Sequence, residues 1–276
     1  MIVKRSSLSA DKSGKDLSDG WAANFAFGCS HGCLFCYVDR IWRLHAANKH
    51  SPYRGLELKE WGQYLYVPGD LEEQIKRTPW RRWSGVRILM SSTHDPYLPE
   101  LYWPNKWPRR ILEAALPCGV KFTILTRSTL AMQDFDLYVR YRGQVLLMSS
   151  IPTLDDAFAR ATEPRAPPPS ARLAMLKRAK ELGVEVGVVV APIITRRGWR
   201  DDLEKLFGAL AELGPSVVFG ELLRPRIESG QAEGSRRGGA DGPRRGQGSR
   251  PRLRGAIEKI RITRRLLART LRPSLS

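Results

Sequence analysis

Apolar runs alternate with helical periods from Trp21 to about Pro225. Residues 86–92, 120–125 and 145–151 read as strands, each a short run of apolar and β-branched side chains. Residues 108–116 and 132–141 lie between them, the first with helical character. At 170–182 the pattern is amphipathic: Leu173, Leu176 and Ala179 recur at three-residue spacing, while Lys177, Arg178 and Lys180 fall outside. Ser170 is the candidate N-cap of that helix and Gly183 the residue just past its end. The strongest strand follows at 184–190, then a helix at 199–213 and a strand at 216–220. With one more strand ahead of Cys29, six β/α units fit. Strands separated by helices favour a parallel sheet with right-handed crossovers, so the expected fold is α/β, an incomplete barrel.

The two ends differ from this pattern. Residues 1–20 are polar and read as a mobile or loosely packed lead-in to a core at 21–226. Residues 227–255 are a Gly/Arg-rich stretch with almost no apolar content, expected to be a disordered linker. Residues 256–276 regain helical spacing through Ile257, Ile260, Leu266 and Leu267 among many arginines, as a basic amphipathic helix or tail. The low-complexity stretch has the look of either a genuine linker or a change of reading frame near Arg226.

Composition narrows the partners. No stretch approaches the roughly 20 apolar residues of a membrane span, and the N-terminal residues have no signal-peptide core, so a cytoplasmic protein without a membrane partner is expected. The formal charge of +18 suggests a polyanion, DNA or RNA. From 221 to 276, however, 15 basic residues stand against 5 acidic ones, so more than half of that excess belongs to the tail. Trp80, Trp83, Trp103 and Trp107 lie beside Arg77, Arg81, Arg82, Arg109 and Arg110. Such interleaving serves either to stack bases and hold phosphates or to pack a barrel rim.

The chemistry is concentrated in three of the four cysteines. Cys29, Cys33 and Cys36 form C-x3-C-x2-C on one short loop, and Cys118 stands alone. Three such thiolates can each take one iron of a cubane and leave the fourth iron open to a small molecule. Zinc, with His31 or His45 as fourth ligand, is the alternative, although structural zinc usually takes two cysteine pairs or a pair followed by two histidines. Gly28 and Gly32 let the backbone bend closely around either.

The motif with Phe35 as its aromatic, set in the stretch from Asn24 to Tyr37, resembles the signature of the radical S-adenosylmethionine superfamily, in the branch of spore photoproduct lyase. Further segments match in order: 91–100, Thr126-Arg127-Ser128, 134–136, Glu163-Pro164 with Arg172, and Ala191-Pro192-Ile193 with Gly198-Trp199. The resemblance spans residues 22–223. It implies a partial (β/α)6 TIM-like barrel of the radical SAM type, here with a basic C-terminal extension. It also implies a [4Fe–4S] cluster on Cys29, Cys33 and Cys36, and S-adenosylmethionine chelated by the open iron. Reductive cleavage then yields a 5′-deoxyadenosyl radical that abstracts hydrogen, with an electron donor such as ferredoxin or flavodoxin as partner.

Cofactor contacts implied in the same way are Phe35 and Tyr37 near the adenine, and Ser91, Ser92 and Thr93 at a strand end. Ser149 and Ser150 stand for the ribose or carboxylate, and Arg160 for the carboxylate. Residue by residue, the hydroxyls read equally as turn caps, Asp95 as a loop orienter or a turn initiator before Pro96, and Arg160 as a solvated helix charge. One departure matters: Ser92 stands where spore photoproduct lyase carries its hydrogen-donating cysteine. An O–H bond is too strong to replace it, and Cys118, expected as a small buried hydrophobe at the far end of the barrel, does not. Repair of spore photoproduct is therefore not expected. Three readings remain: a radical enzyme acting on nucleic acid, one acting on a peptide or small metabolite, and a non-catalytic iron–sulfur nucleic-acid-binding protein.

Overall fold

The computed structural model describes residues 2–6, 17–50, 54 and 59–223. In chain order, β1 (Val3–Arg5) and β2 (Trp21–Ala23) are followed by β3 (Phe27–Gly28), α1 (Tyr37–Ala47), β4 (Leu65–Tyr66) and α2 (Leu71–Arg77). Next come β5 (Arg87–Met90), α3 (Pro99–Tyr102), α4 (Trp107–Ala115), β6 (Lys121–Thr126), α5 (Phe135–Arg140) and β7 (Val145–Ser150). The series closes with α6 (Asp156–Thr162), α7 (Pro169–Glu181), β8 (Glu185–Ile193), α8 (Trp199–Leu213) and β9 (Val217–Leu222).

The main sheet runs β1-β2-β5-β6-β7-β8-β9, and every pair from β2 to β9 is parallel. Six parallel strands with helical crossovers make the partial (β/α)6 barrel anticipated from the apolar runs. Those runs are continuous because both faces are buried. Along β7, Val145 and Leu147 pack against the helices, while Leu146 and Met148 point to a second cluster with Ala22, Leu89, Val189 and Phe219. Leu17 joins that inner cluster from outside the strands. Gly187 of β8 is the concession to this filling: a Cβ there would lie 2.7 Å from Val217 and 2.9 Å from Met148.

Two expectations change. Residues 2–6 are not a loose lead-in, since Val3 pairs antiparallel with Ala23 and both Ile2 and Val3 are buried. A three-residue strand is too short to show a period. The amphipathic helix starts at Pro169 with Pro168 as N-cap, rather than at Ser170. Proline at the first helical position gives up an N–H that would have no helical partner anyway. Ser170 instead turns both its N–H and its hydroxyl to Asp156 (3.0 and 2.5 Å). Gly183 follows the helix with φ 78°, as expected. The linker and basic tail lie outside the described residues.

Candidate cofactor site

The cysteine loop begins where β3 meets β4. Gly28 has φ 92°, and a Cβ on it would stand 2.3 Å from the Tyr64 carbonyl oxygen, so only glycine allows this approach. The loop then turns at Cys33–Cys36, where the Cys36 N–H donates to the Cys33 carbonyl (3.1 Å), and is pinned by Leu34 N–H to the Thr162 carbonyl (3.0 Å). All three thiols are free, with Cys29 and Cys33 buried and Cys36 half-buried. Burial pushes each thiol up, Cys33 to about 12. Opposing this, the backbone N–H groups of Asp95 and His31 lower the Cys29 pKa, and those of Val38 and Asp39, in the first turn of α1, lower that of Cys36. Donors of this kind favour a thiolate, the form that binds metal. Among the described residues no three His, Cys, Asp or Glu side chains are grouped around a single metal ion.

Facing the loop are the C-terminal ends of the strands, the end at which barrel enzymes place their chemistry. Ser91, at φ 69°, accepts the N–H groups of Thr93 (3.2 Å) and His94 (3.0 Å), so its hydroxyl closes the turn. Ser92 is tied to Asn24, its N–H donating to Oδ1 at 2.8 Å and its Oγ accepting from Nδ2 at 3.1 Å. Thr93 Oγ1 lies 3.4 Å from the Ala26 carbonyl. Asp95 accepts from the Tyr97 N–H (2.9 Å), the Thr126 hydroxyl (2.6 Å) and the Arg127 N–H (2.7 Å), and faces His31 Nδ1 at 3.5 Å. It therefore does orient the loop, joining the ends of β5 and β6 to the cysteine segment. Ser149 Oγ donates to the Thr126 carbonyl (2.7 Å), and Ser150 is buried with its carbonyl bound by Arg172 (2.9 Å). Tyr37 is half-exposed and its hydroxyl donates to the Ser92 carbonyl (3.2 Å). Phe35 lies under the Arg127 guanidinium at 5.5 Å. Arg160 is exposed on α6, beside a cavity also lined by Asp156, Pro164 and Arg172.

The cation beside the cysteines is thus Arg127, which the Thr-Arg-Ser motif flagged without assigning a role. Its Nε stands 3.3 Å from Glu163, its Nη2 donates to the Ala191 carbonyl (3.3 Å), and Glu163 is also paired with Arg172. Glu163 and Arg172 are fully buried. Burial alone would weaken the Arg127 cation, but Glu163 and then the Cys33 and Cys36 sulfurs outweigh it and hold its pKa above the ordinary arginine value. His31 and His94 are buried and neutral. Desolvation pushes His94 down to about 3 and lowers His31, despite the Asp95 carboxylate. Cys118 is partly buried, its Sγ 3.6 Å from the Ala114 carbonyl, just ahead of β6 and away from the site.

Of the tryptophan–arginine segments the tryptophans mostly pack, while Arg77, Arg81 and Arg82 are exposed. Trp80 and Trp83 are buried, and Arg109 is held by Asp134 and Asp136. Arg110 lies over Trp107 at 5.2 Å and pairs with Glu72. Trp103 is the exception, half-exposed with Lys106 Nζ over its ring at 5.4 Å. It directly follows α3, whose Glu100 accepts a hydrogen bond from Ser30 of the cysteine loop (3.0 Å).

The family model described as Radical SAM superfamily matches residues 23–209. The chain belongs to the radical SAM superfamily. Radical SAM enzymes of this superfamily use a [4Fe–4S] cluster and S-adenosylmethionine. The chain is 52% identical over 217 residues to ORF301 of Acidianus two-tailed virus, covering 77% of this chain and 70% of that one. It is 26% identical over 230 residues to Rv2578c of Mycobacterium tuberculosis, covering 81% and 65%. A Radical SAM Nalpha-GlyT isomerase of Pseudomonas phage M6 matches at 25% over 69% of this chain and 36% of its own length. By structure it resembles a spore photoproduct lyase variant with bound AdoMet and dinucleoside spore photoproduct, at TM-score 0.54 and 21% identity. That likeness covers 82% of this chain and 62% of the lyase. The radical SAM chain thus spans about two thirds of the mycobacterial protein and of the lyase. None of its described helices is long and apolar enough to cross a membrane. The donor set of the loop, three free thiols with backbone N–H groups that lower the pKa of two of them and a guanidinium alongside, fits the cluster.

Proposed function

We propose that the protein is a radical SAM enzyme that abstracts hydrogen from a nucleic-acid substrate other than spore photoproduct. In this reading Cys29, Cys33 and Cys36 hold the cluster, which with S-adenosylmethionine supplies a 5′-deoxyadenosyl radical. Phe35, Tyr37, Ser92 and Thr93 border the cofactor pocket. Ser91, Ser149 and Asp95 hold its wall in shape, through hydroxyls and a carboxylate already engaged by neighbouring backbone. Arg127, rather than the exposed Arg160, is the guanidinium beside the pocket. Buried side chains such as Met148 and Val189 fill the barrel beneath and keep water from the radical. Ferredoxin or flavodoxin serves as the electron donor.

The observation that carries a nucleic-acid substrate is Trp103 with Lys106 at the rim, next to the cysteine loop. An exposed indole stacks a base and its neighbouring ammonium meets a phosphate. The bound dinucleoside of the lyase supports the same substrate class. The test is anaerobic reconstitution followed by measurement of 5′-deoxyadenosine with single-stranded DNA or RNA, and with peptides, as substrate. Nucleic acid is expected to stimulate deoxyadenosine formation. Binding is expected to weaken steeply with salt, to survive removal of residues 227–276, and to drop at least about fivefold in Trp103→Ala. Stimulation by peptides alone, or binding lost with the tail, points to the alternative substrates.

A further inference from the structure

Glu163, Arg172 and Arg127 form a buried charge chain that ends at the cysteine loop. Both ends of the Glu163–Arg172 pair are inaccessible to solvent, and Arg127 is 21% exposed. Among the described residues, Glu163 Oε1 and the Arg127 Nε have no hydrogen-bond partner. Arg172 Nη2 and Glu163 Oε2 are in very close contact, whereas Arg127 meets Glu163 through an ionic contact at 3.3 Å. Arg172 is anchored independently, its Nε to the Pro167 carbonyl (2.7 Å) and its Nη1 to the Ser150 carbonyl (2.9 Å). Arg127 has one side-chain hydrogen bond, a long one to Ala191. Its position therefore depends on Glu163, and Glu163 in turn on Arg172.

The chain carries two positive charges and one negative. The surplus sits at the Arg127 end, stacked on Phe35 between Cys33 and Cys36 in sequence. Keeping an incompletely hydrogen-bonded ion chain in a protein interior costs the desolvation of each ion. A hydrophobic pair would pack the same space more cheaply. The reduction potential of an iron–sulfur cluster responds to nearby net charge, and a cation beside its thiolates favours the electron-rich state.

We infer that Glu163 and Arg172 are positioning residues that hold the Arg127 guanidinium against the cysteine loop, where its charge favours the reduced cluster. The inference rests on the assignment of the cluster to Cys29, Cys33 and Cys36, which iron and sulfide counts on the reconstituted wild-type protein test separately. Four irons are expected; without them the inference falls with the assignment.

The deciding measurement is the cluster potential, by EPR-monitored reductive titration without S-adenosylmethionine, in variants that retain four irons. Arg127→Gln leaves Glu163 and Arg172 matched one to one, so the fold should survive. Its reduced-to-oxidised ratio at a fixed potential should fall at least about tenfold, which for one electron is about 59 mV. Arg127→Lys, which keeps the charge but not the fork, should fall between Arg127→Gln and wild type. Glu163→Gln separates positioning from simple charge. Removing a carboxylate should by itself raise the potential, whereas releasing Arg127 should lower it, and a lowering is expected. In an Arg127→Gln background the same change should no longer lower it. An unchanged potential in Arg127→Gln overturns the inference, as does a raised or unchanged potential in Glu163→Gln.

Discussion

Two buried polar networks lie on the same barrel and are built differently. Around Asp134, Tyr97 donates to Oδ2 (2.8 Å) while Tyr102 (2.8 Å) and Arg109 (3.2 Å) donate to Oδ1, and the Tyr97 and Tyr138 hydroxyls meet at 2.5 Å. No side-chain polar atom of these residues is left buried and unpaired among the described contacts. The Arg127–Glu163–Arg172 chain has charge partners without complete hydrogen bonds, and it borders the free thiols of Cys33 and Cys36. A closed network makes a core rigid and specific. An open one keeps capacity for something outside it, and here the neighbour is the cysteine loop.

The comparison can be broken at either network. The largest effect is expected at the loop: Cys33→Ala should abolish the four-iron cluster, seen in iron counts and visible absorption, while Cys118→Ala should leave both unchanged. Next is Asp134→Ala, which removes the charged acceptor of the Tyr97 and Tyr102 hydroxyls while Arg109 keeps Asp136 and Glu113, and should destabilise the protein by about 3–5 kcal/mol in denaturant titration. Asp134→Asn should cost less. Neither should move the cluster potential, and a shift there would erase the distinction between the two networks.

A smaller effect is expected from pH. His94 stays neutral in the folded protein down to about 3, whereas an unfolded histidine takes up a proton near pH 6.5. The unfolded chain therefore binds more protons between those values, and stability should fall as pH drops below about 6.5. The loss should be up to about 1.4 kcal/mol per pH unit, and His94→Gln should flatten that slope between pH 7 and 5. The smallest is Tyr138→Phe, which removes one end of the Tyr97 contact and should cost about 1 kcal/mol with four irons retained. A large loss would mean that Tyr138 does more than close the network.

Much of the architecture was legible along the chain because the barrel strands are buried on both faces. Their apolar runs stand out whatever the partner, and the 199–213 helix begins and ends where its period does. The edge strand at Val3–Arg5 was not legible, since pairing with Ala23 is decided by a neighbour 20 residues away in the chain. The start of α7 also depended on proline geometry that outweighed the serine.

The site divides in the same way. The three cysteines form a local motif that spacing brings forward, while Phe35 and the strand-end hydroxyls came forward through the resemblance to the superfamily. What each hydroxyl does was beyond spacing: Ser91 is consumed by its own turn and Ser149 by the strand beside it. Arg160 and Arg127 looked alike as isolated arginines. Only the fold sets one in solvent on α6 and the other between Phe35 and Glu163, because a charge acts over the few ångströms that chain order does not report. The sequence by itself thus determined the donor atoms and the strands that carry them. The tertiary structure decided which buried charge faces those donors.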